Sequence, residues 1–102
     1  MKWKLHKSSV QAKVLTDLPT NFSELHIIVY LSNIAQVTYN FNLIKNELLP
    51  GARSYVIGYG WTNEAGKNAC QLNVSTTKAK VTTLYNAGVD YLDSALMDIY
   101  YR

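Results

Sequence analysis

Polar and apolar residues alternate along most of this chain with a period of two, which is the spacing of β-strands rather than of helices. In Leu25-His26-Ile27-Ile28-Val29-Tyr30-Leu31 the odd positions Leu25, Ile27, Val29 and Leu31 share one face, with His26, Ile28 and Tyr30 on the other. Both faces carry apolar groups, so this run predicts a central strand of a sheet covered on both sides. The next run sets Ala35, Val37, Tyr39, Phe41 and Leu43 against Gln36, Thr38, Asn40 and Asn42, a half-buried antiparallel strand, with Ser32-Asn33 as the turn between the two. Cys70, Leu72 and Val74 alternate with Gln71, Asn73 and Ser75, and Ala79, Val81 and Thr83 alternate with Lys78, Lys80 and Thr82, which predicts a hairpin or two adjacent strands. Residues 95–102 read as a closing strand. Turn signals fall at Leu49-Pro50-Gly51, in the loop 63–68 and at Asn86-Ala87-Gly88. The mixed run over 42–49, with Leu43, Ile44, Glu47, Leu48 and Leu49 ahead of Pro50, predicts a short helix. About seven or eight short strands at this spacing predict an all-β fold, an antiparallel and jelly-roll-like β-sandwich. No repeat or linker interrupts it, so residues 1–102 read as one domain.

One stretch, Tyr55-Val56-Ile57-Gly58-Tyr59-Gly60-Trp61, invites sharper interpretations. It contains a near-copy of a potassium-filter sequence, but a filter needs flanking membrane helices of ~20 apolar residues, and the longest apolar run here is Ile27-Ile28-Val29-Tyr30-Leu31. Gly58 and Gly60 are followed by Trp61-Thr62-Asn63-Glu64, so neither a third glycine nor a Gly-Lys-Ser/Thr ending completes a phosphate loop. As a strand, the stretch sends Tyr55, Ile57, Tyr59 and Trp61 to one face and Ser54, Val56, Gly58 and Gly60 to the other. The bare glycines then allow another backbone or a ring to lie close. The aromatic face has two interpretations: it is core, or its outer end, Tyr59 and Trp61 with Asn63 and Glu64, is a binding platform for a sugar ring or a partner surface.

Composition changes this picture little. Hydrophobic residues are 48% and charged residues 17%, a globular balance. The net charge of +3 is too small, and Lys2, Lys4, Lys7, Lys78 and Lys80 too dispersed, to point to nucleic acid; the lysines read as solvated strand faces and an exposed end. Cys70 is the single cysteine, so no intrachain disulfide forms, and its alternation with Leu72 and Val74 marks it as a small core residue. MKWKLHKSSV has a basic start without the apolar stretch of a secretory signal, which predicts synthesis and folding in the cytoplasm and leaves the sequons at Asn21 and Asn73 as chance matches.

The inventory for catalysis is thin. His6 and His26 have no metal-binding spacing, and His26, inside an apolar strand, reads as a cross-strand partner. Asp90 and Asp93 share one loop-like segment without the ordered oxygen spacing of a calcium loop. Seven scattered acids and no Gly-x-Ser-x-Gly predict a protein that is not an enzyme and that uses no cofactor or metal.

Three stretches together carry a resemblance. Leu18-Pro19-Thr20-Asn21-Phe22-Ser23-Glu24-Leu25 leads into an apolar strand, Tyr55 to Trp61 forms a Gly-Tyr strand, and the chain closes on Ile99-Tyr100-Tyr101-Arg102. This combination resembles small β-rich structural proteins of tailed-bacteriophage and prophage virions, of tail-fibre, baseplate or capsid-decorating type. The resemblance implies a non-enzymatic virion component that assembles as a homo-oligomer, commonly a trimer, with other virion proteins. Members at fibre tips contact host-surface glycan or protein, while the low net charge and short apolar runs of this chain predict neither nucleic-acid binding nor membrane insertion. The motifs are structural: Pro19 and Asn21 set up the lead-in, Glu24 caps or pairs at the strand start, and Tyr100, Tyr101 and Arg102 fix the last strand. The alternative is a free carbohydrate-binding module using Tyr59, Trp61, Asn63 and Glu64.

Overall fold

The computed structural model describes residues 2–58 and 67–102, and within these the side chains of Ala35 and Gln36 lie outside the description. Nine strands lie in the described part: β1 Lys4–Gln11, β2 Thr16–Asp17, β3 Glu24–Leu31, β4 Ile34–Ile44, β5 Arg53–Gly58, β6 Ala69–Val74, β7 Lys78–Asn86, β8 Val89–Asp90 and β9 Leu96–Tyr101. They form two antiparallel sheets, one in the order β1-β9-β3-β4 and one in the order β2-β7-β6-β5, where β8 also pairs with β7. The predicted β-sandwich is therefore the fold.

Alternation does the sorting. Leu25, Ile27 and Val29 of β3 and Met97 and Ile99 of β9 face Leu72 and Val74 of β6 and Val81 and Leu84 of β7, all fully buried. β3 is central in its sheet as expected, paired with β4 on one side and β9 on the other. Only one of its faces is covered, however, since His26, Ile28 and Tyr30 on the other are half-buried. Val37, Phe41 and Leu43 of β4 point inward. Cys70 is also fully buried.

Three local expectations needed correction. Leu84 rather than Thr83 lies in the core, because Gln71 pairs with Thr83 while Leu72 pairs with Val81. Thr82 is thus an extra residue, a bulge that reverses the alternation beyond it. The predicted helix over 42–49 is only a single 3₁₀ turn, Lys45–Glu47, since Asn42 and Leu43 stay paired with His26 and Leu25. The N-terminal segment expected to be a solvated end is a strand: β1 pairs with β9 along its length but shifts register twice, and Ser9 within it takes φ 54°. Only His6 and Val10 of its eight residues are partly buried, so its pattern carries almost no period.

The sheets are stitched at one corner by Ala12, whose N–H donates to Ala95 C=O at 2.9 Å and whose C=O accepts from Val81 N–H at 2.7 Å. This residue leaves the β1–β9 edge and joins β7 of the other sheet, and it is fully buried. On the opposite side, Tyr39 of β4 reaches across to donate its hydroxyl to Tyr85 C=O of β7 at 3.4 Å.

Gly58 explains half of the Gly-Tyr motif. It has φ +87°, and a Cβ built there would lie 2.1 Å from Asn68 O, so the partner backbone occupies the space that a side chain would need. Gly51 has open space around it. Gly58→Ala is expected to lower unfolding free energy by about 1–3 kcal/mol, whereas Gly51→Ala changes it by less than about 1 kcal/mol. Urea unfolding of the two variants checks this pair.

Candidate functional site

The two ends of the resemblance meet. Leu18 and Phe22 are buried, Leu18 N–H donates to Thr77 C=O at 2.9 Å, and the Lys45 ammonium sits 4.8 Å from the Phe22 ring centre. Ser23 and Glu24 N–H groups both donate to Arg102 C=O, at 2.8 and 2.9 Å, and Arg102 N–H returns to Glu24 C=O at 3.1 Å. Arg102 Nε also donates to Glu24 Oε2 at 2.7 Å. With side chains 35% and 40% exposed, that ion pair contributes at most about 1 kcal/mol, so the backbone ladder carries most of the join. Glu24 is the pairing residue that the sequence suggested.

From this join extends the outer face of the four-stranded sheet. β3 presents His26, Ile28 and Tyr30 there, β9 presents Asp98 and Tyr100, and β4 presents Thr38, Asn40 and Asn42, brought together by the pairs His26–Tyr100, Ile28–Asp98, His26–Asn42 and Ile28–Asn40. Trp3, just before β1, packs onto the same face. Its ring centre lies 5.9 Å from His26, edge to face, and 4.3 Å from the Arg102 guanidinium carbon. Tyr100 lies 6.3 Å from His26 on a tilted ring. His26 Nε2 donates to Asn40 Oδ1 at 3.0 Å, so His26 is the cross-strand partner that its strand position predicted.

The other end of the face is fixed by a polar knot. Ser9 N–H donates to Asp98 Oδ1 at 2.7 Å, Tyr30 OH donates to the same oxygen at 3.0 Å, and Ser9 Oγ lies 2.9 Å from Tyr30 OH. The Ser9 contact pulls the Tyr30 hydroxyl pKa down, but partial burial and the Asp98 carboxylate together outweigh it and leave it raised. Asp98 thus anchors the bulge of β1 rather than standing free as a base. Rings beside amides and an anchored carboxylate are suited to stacking on an apolar ring face while hydrogen-bonding its polar rim.

The residues singled out from sequence as a platform, Tyr59, Trp61, Asn63 and Glu64, lie outside the described residues, as does Gly60. Within the same stretch Tyr55 and Ile57 pack against the core, and Val56 on the opposite face is 44% exposed. Of the acids considered for calcium, Asp90 Oδ1 accepts from Leu92 N–H at 2.9 Å and Asp93 pairs with Lys13 at 3.0 Å. Among the described residues no three His, Cys, Asp or Glu side chains gather closely enough to hold a metal ion. Trp3 and Tyr100 were not singled out as ligand contacts. Tyr100 falls within the closing strand expected over 95–102, but Trp3 sits ahead of a strand with almost no pattern.

Searches of protein-family models, curated proteins and solved structures find no match to this chain.

Burial pushes the Cys70 thiol pKa up to about 12. The native thiol therefore stays neutral and enclosed, and Cys70 is expected to react with an aromatic disulfide reagent only at the rate of global opening. The unfolded thiol ionises first, so this group lowers stability as pH rises past about 8.5. Rapid labelling of the native protein at pH 8 would contradict this placement.

Proposed function

We propose that this chain is a non-enzymatic structural protein of a tailed-bacteriophage virion, which assembles with copies of itself and with other virion proteins and turns a sheet face towards the host surface. Support comes from the join between the lead-in 18–25 and the closing residues 99–102, which carry the resemblance and meet through the Glu24–Arg102 ladder. These residues frame the sandwich, a scaffold role of the kind that the resemblance implies. The resemblance implies three copies and a place in the virion. Antibody raised against the protein is expected to label tailed particles purified from a strain that carries the gene. Unlabelled particles, with the protein left in the soluble lysate, would overturn the proposal.

A carbohydrate-binding module is the second reading, favoured by the outer face just described. Its aromatic surface is Trp3, His26 and Tyr100, with Asn40 and Asn42 alongside. If this face binds glycan, Trp3→Ala is expected to weaken binding to a glycan-array hit by about tenfold or more at an unchanged melting temperature. Equal affinity of the variant and the parent would remove the face from consideration.

A further inference from the structure

The four-stranded sheet ends on β4, and the backbone directions along that strand follow from its neighbours. Glu24 exchanges backbone hydrogen bonds with Arg102 on the β9 side, so Leu25 turns its backbone to β4, and Lys45 N–H donates to Ser23 C=O at 2.9 Å. Alternation then directs the backbone groups of Leu43, Phe41 and Tyr39 towards β3. The N–H and C=O groups of Thr38, Asn40 and Asn42 point out of the sheet edge. Among the described residues no strand pairs with them.

Every other edge in the described structure carries a device that discourages pairing. β1 has two register shifts, Ser9 at positive φ, and Lys4 and Lys7. On the outer side of β7, β2 and β8 are two residues each. β5 is six residues and ends at Gly58 with φ +87°. β4 differs from all of these. It is 11 residues long with no proline, glycine or charged side chain, and its register against β3 is unbroken from Thr38 to Ile44. Long, flat, uncharged edges are those that accept another strand.

We infer that the β4 edge is a self-pairing surface on which the β4 of a second copy of this chain docks antiparallel, joining two four-stranded sheets into one. This rests on the self-assembly proposed above and specifies its contact, with two copies in place of the three that the resemblance implies. A second copy is favoured by charge: an uncharged strand meets its own image without like-charge opposition, whereas strands such as β1 and β7 bear lysines. The parity of the strand also fits. Centred on Asn40, a two-fold pairing sets Thr38 opposite Asn42 and keeps Tyr39 and Phe41 of both copies on the inner face. Apolar flanks are present as well, with Ile44 at the end of β4 48% exposed and Val56, on the edge strand of the other sheet, 44% exposed. Such pairing is isologous and closes at two copies.

Three variants test it by solution mass across a range of concentrations. Asn42→Pro removes an outward N–H and leaves the β3–β4 ladder intact. The double variant T38K/N42K places lysine opposite lysine, whereas T38E/N42K places glutamate opposite lysine in the same register. The parent is expected to be a dimer, with Asn42→Pro and T38K/N42K weakening it by about tenfold or more and T38E/N42K restoring it. Because the lysine and glutamate variants alter only exposed side chains, they keep the test open if the proline variant does not fold. A parent trimer, or a dimer indifferent to all three variants, would overturn the edge pairing and leave self-assembly standing. A parent that is monomeric at every concentration would overturn both.

Discussion

The constraint on which the rest of this structure depends is the backbone stitch at Ala12. A β-sandwich has two sheets whose ladders run within each sheet, so the sheets are held together mainly by their apolar faces. Here a single residue donates its N–H into one sheet, at Ala95, and offers its C=O to the other, at Val81. Both groups are satisfied although the residue is fully buried, which is the condition for a chain to cross between layers without an orphaned polar atom. A methyl side chain suits the corner, since a larger one would have to displace the packed ends of both sheets.

The stitch makes the molecule asymmetric. On the Ala12 side, β1 and β9 are tied to β7, and the edge strand β1 is kinked, lysine-bearing and clamped by Asp98 through Ser9. On the far side β4 and β5 end their sheets, and Tyr39 of β4 reaches over to bond Tyr85 C=O of β7. Val37, Phe41 and Leu43 bury one face of β4, and its pairing with β3 sets the direction of its outward backbone groups. A preformed row lowers the entropic cost of docking another strand. The same sheet carries Trp3, His26 and Tyr100 on its outer face.

How much of this was legible in the sequence differed by residue. β3, β4, β6 and β9 were readable because burial on one or both faces writes a period of two. The turn at Ser32-Asn33, the core position of Cys70 and the pairing of His26 followed from the same signal. β1 was not readable, because an edge strand with most of its residues in solvent has no reason to alternate. The face change at Leu84 was hidden for a different reason: a bulge depends on the register of the partner strand, here at Gln71 and Leu72, and leaves no local mark at Thr82. Trp3 was missed with β1, and with it one of the rings of the outer face. Gly58 was read correctly as a place of close backbone approach, since no side chain satisfies both its φ and the nearness of Asn68.

The central claim is that the outward backbone row of β4 is completed by another copy. Amide hydrogen exchange resolved to single residues tests it most directly, because neighbouring amides of β4 serve as their own control. Tyr39, Phe41 and Leu43 should be protected at all protein concentrations, whereas Thr38, Asn40 and Asn42 should exchange rapidly in dilute solution and become protected as concentration rises. If those three amides exchange equally fast at every concentration, the edge stays open and the account is wrong.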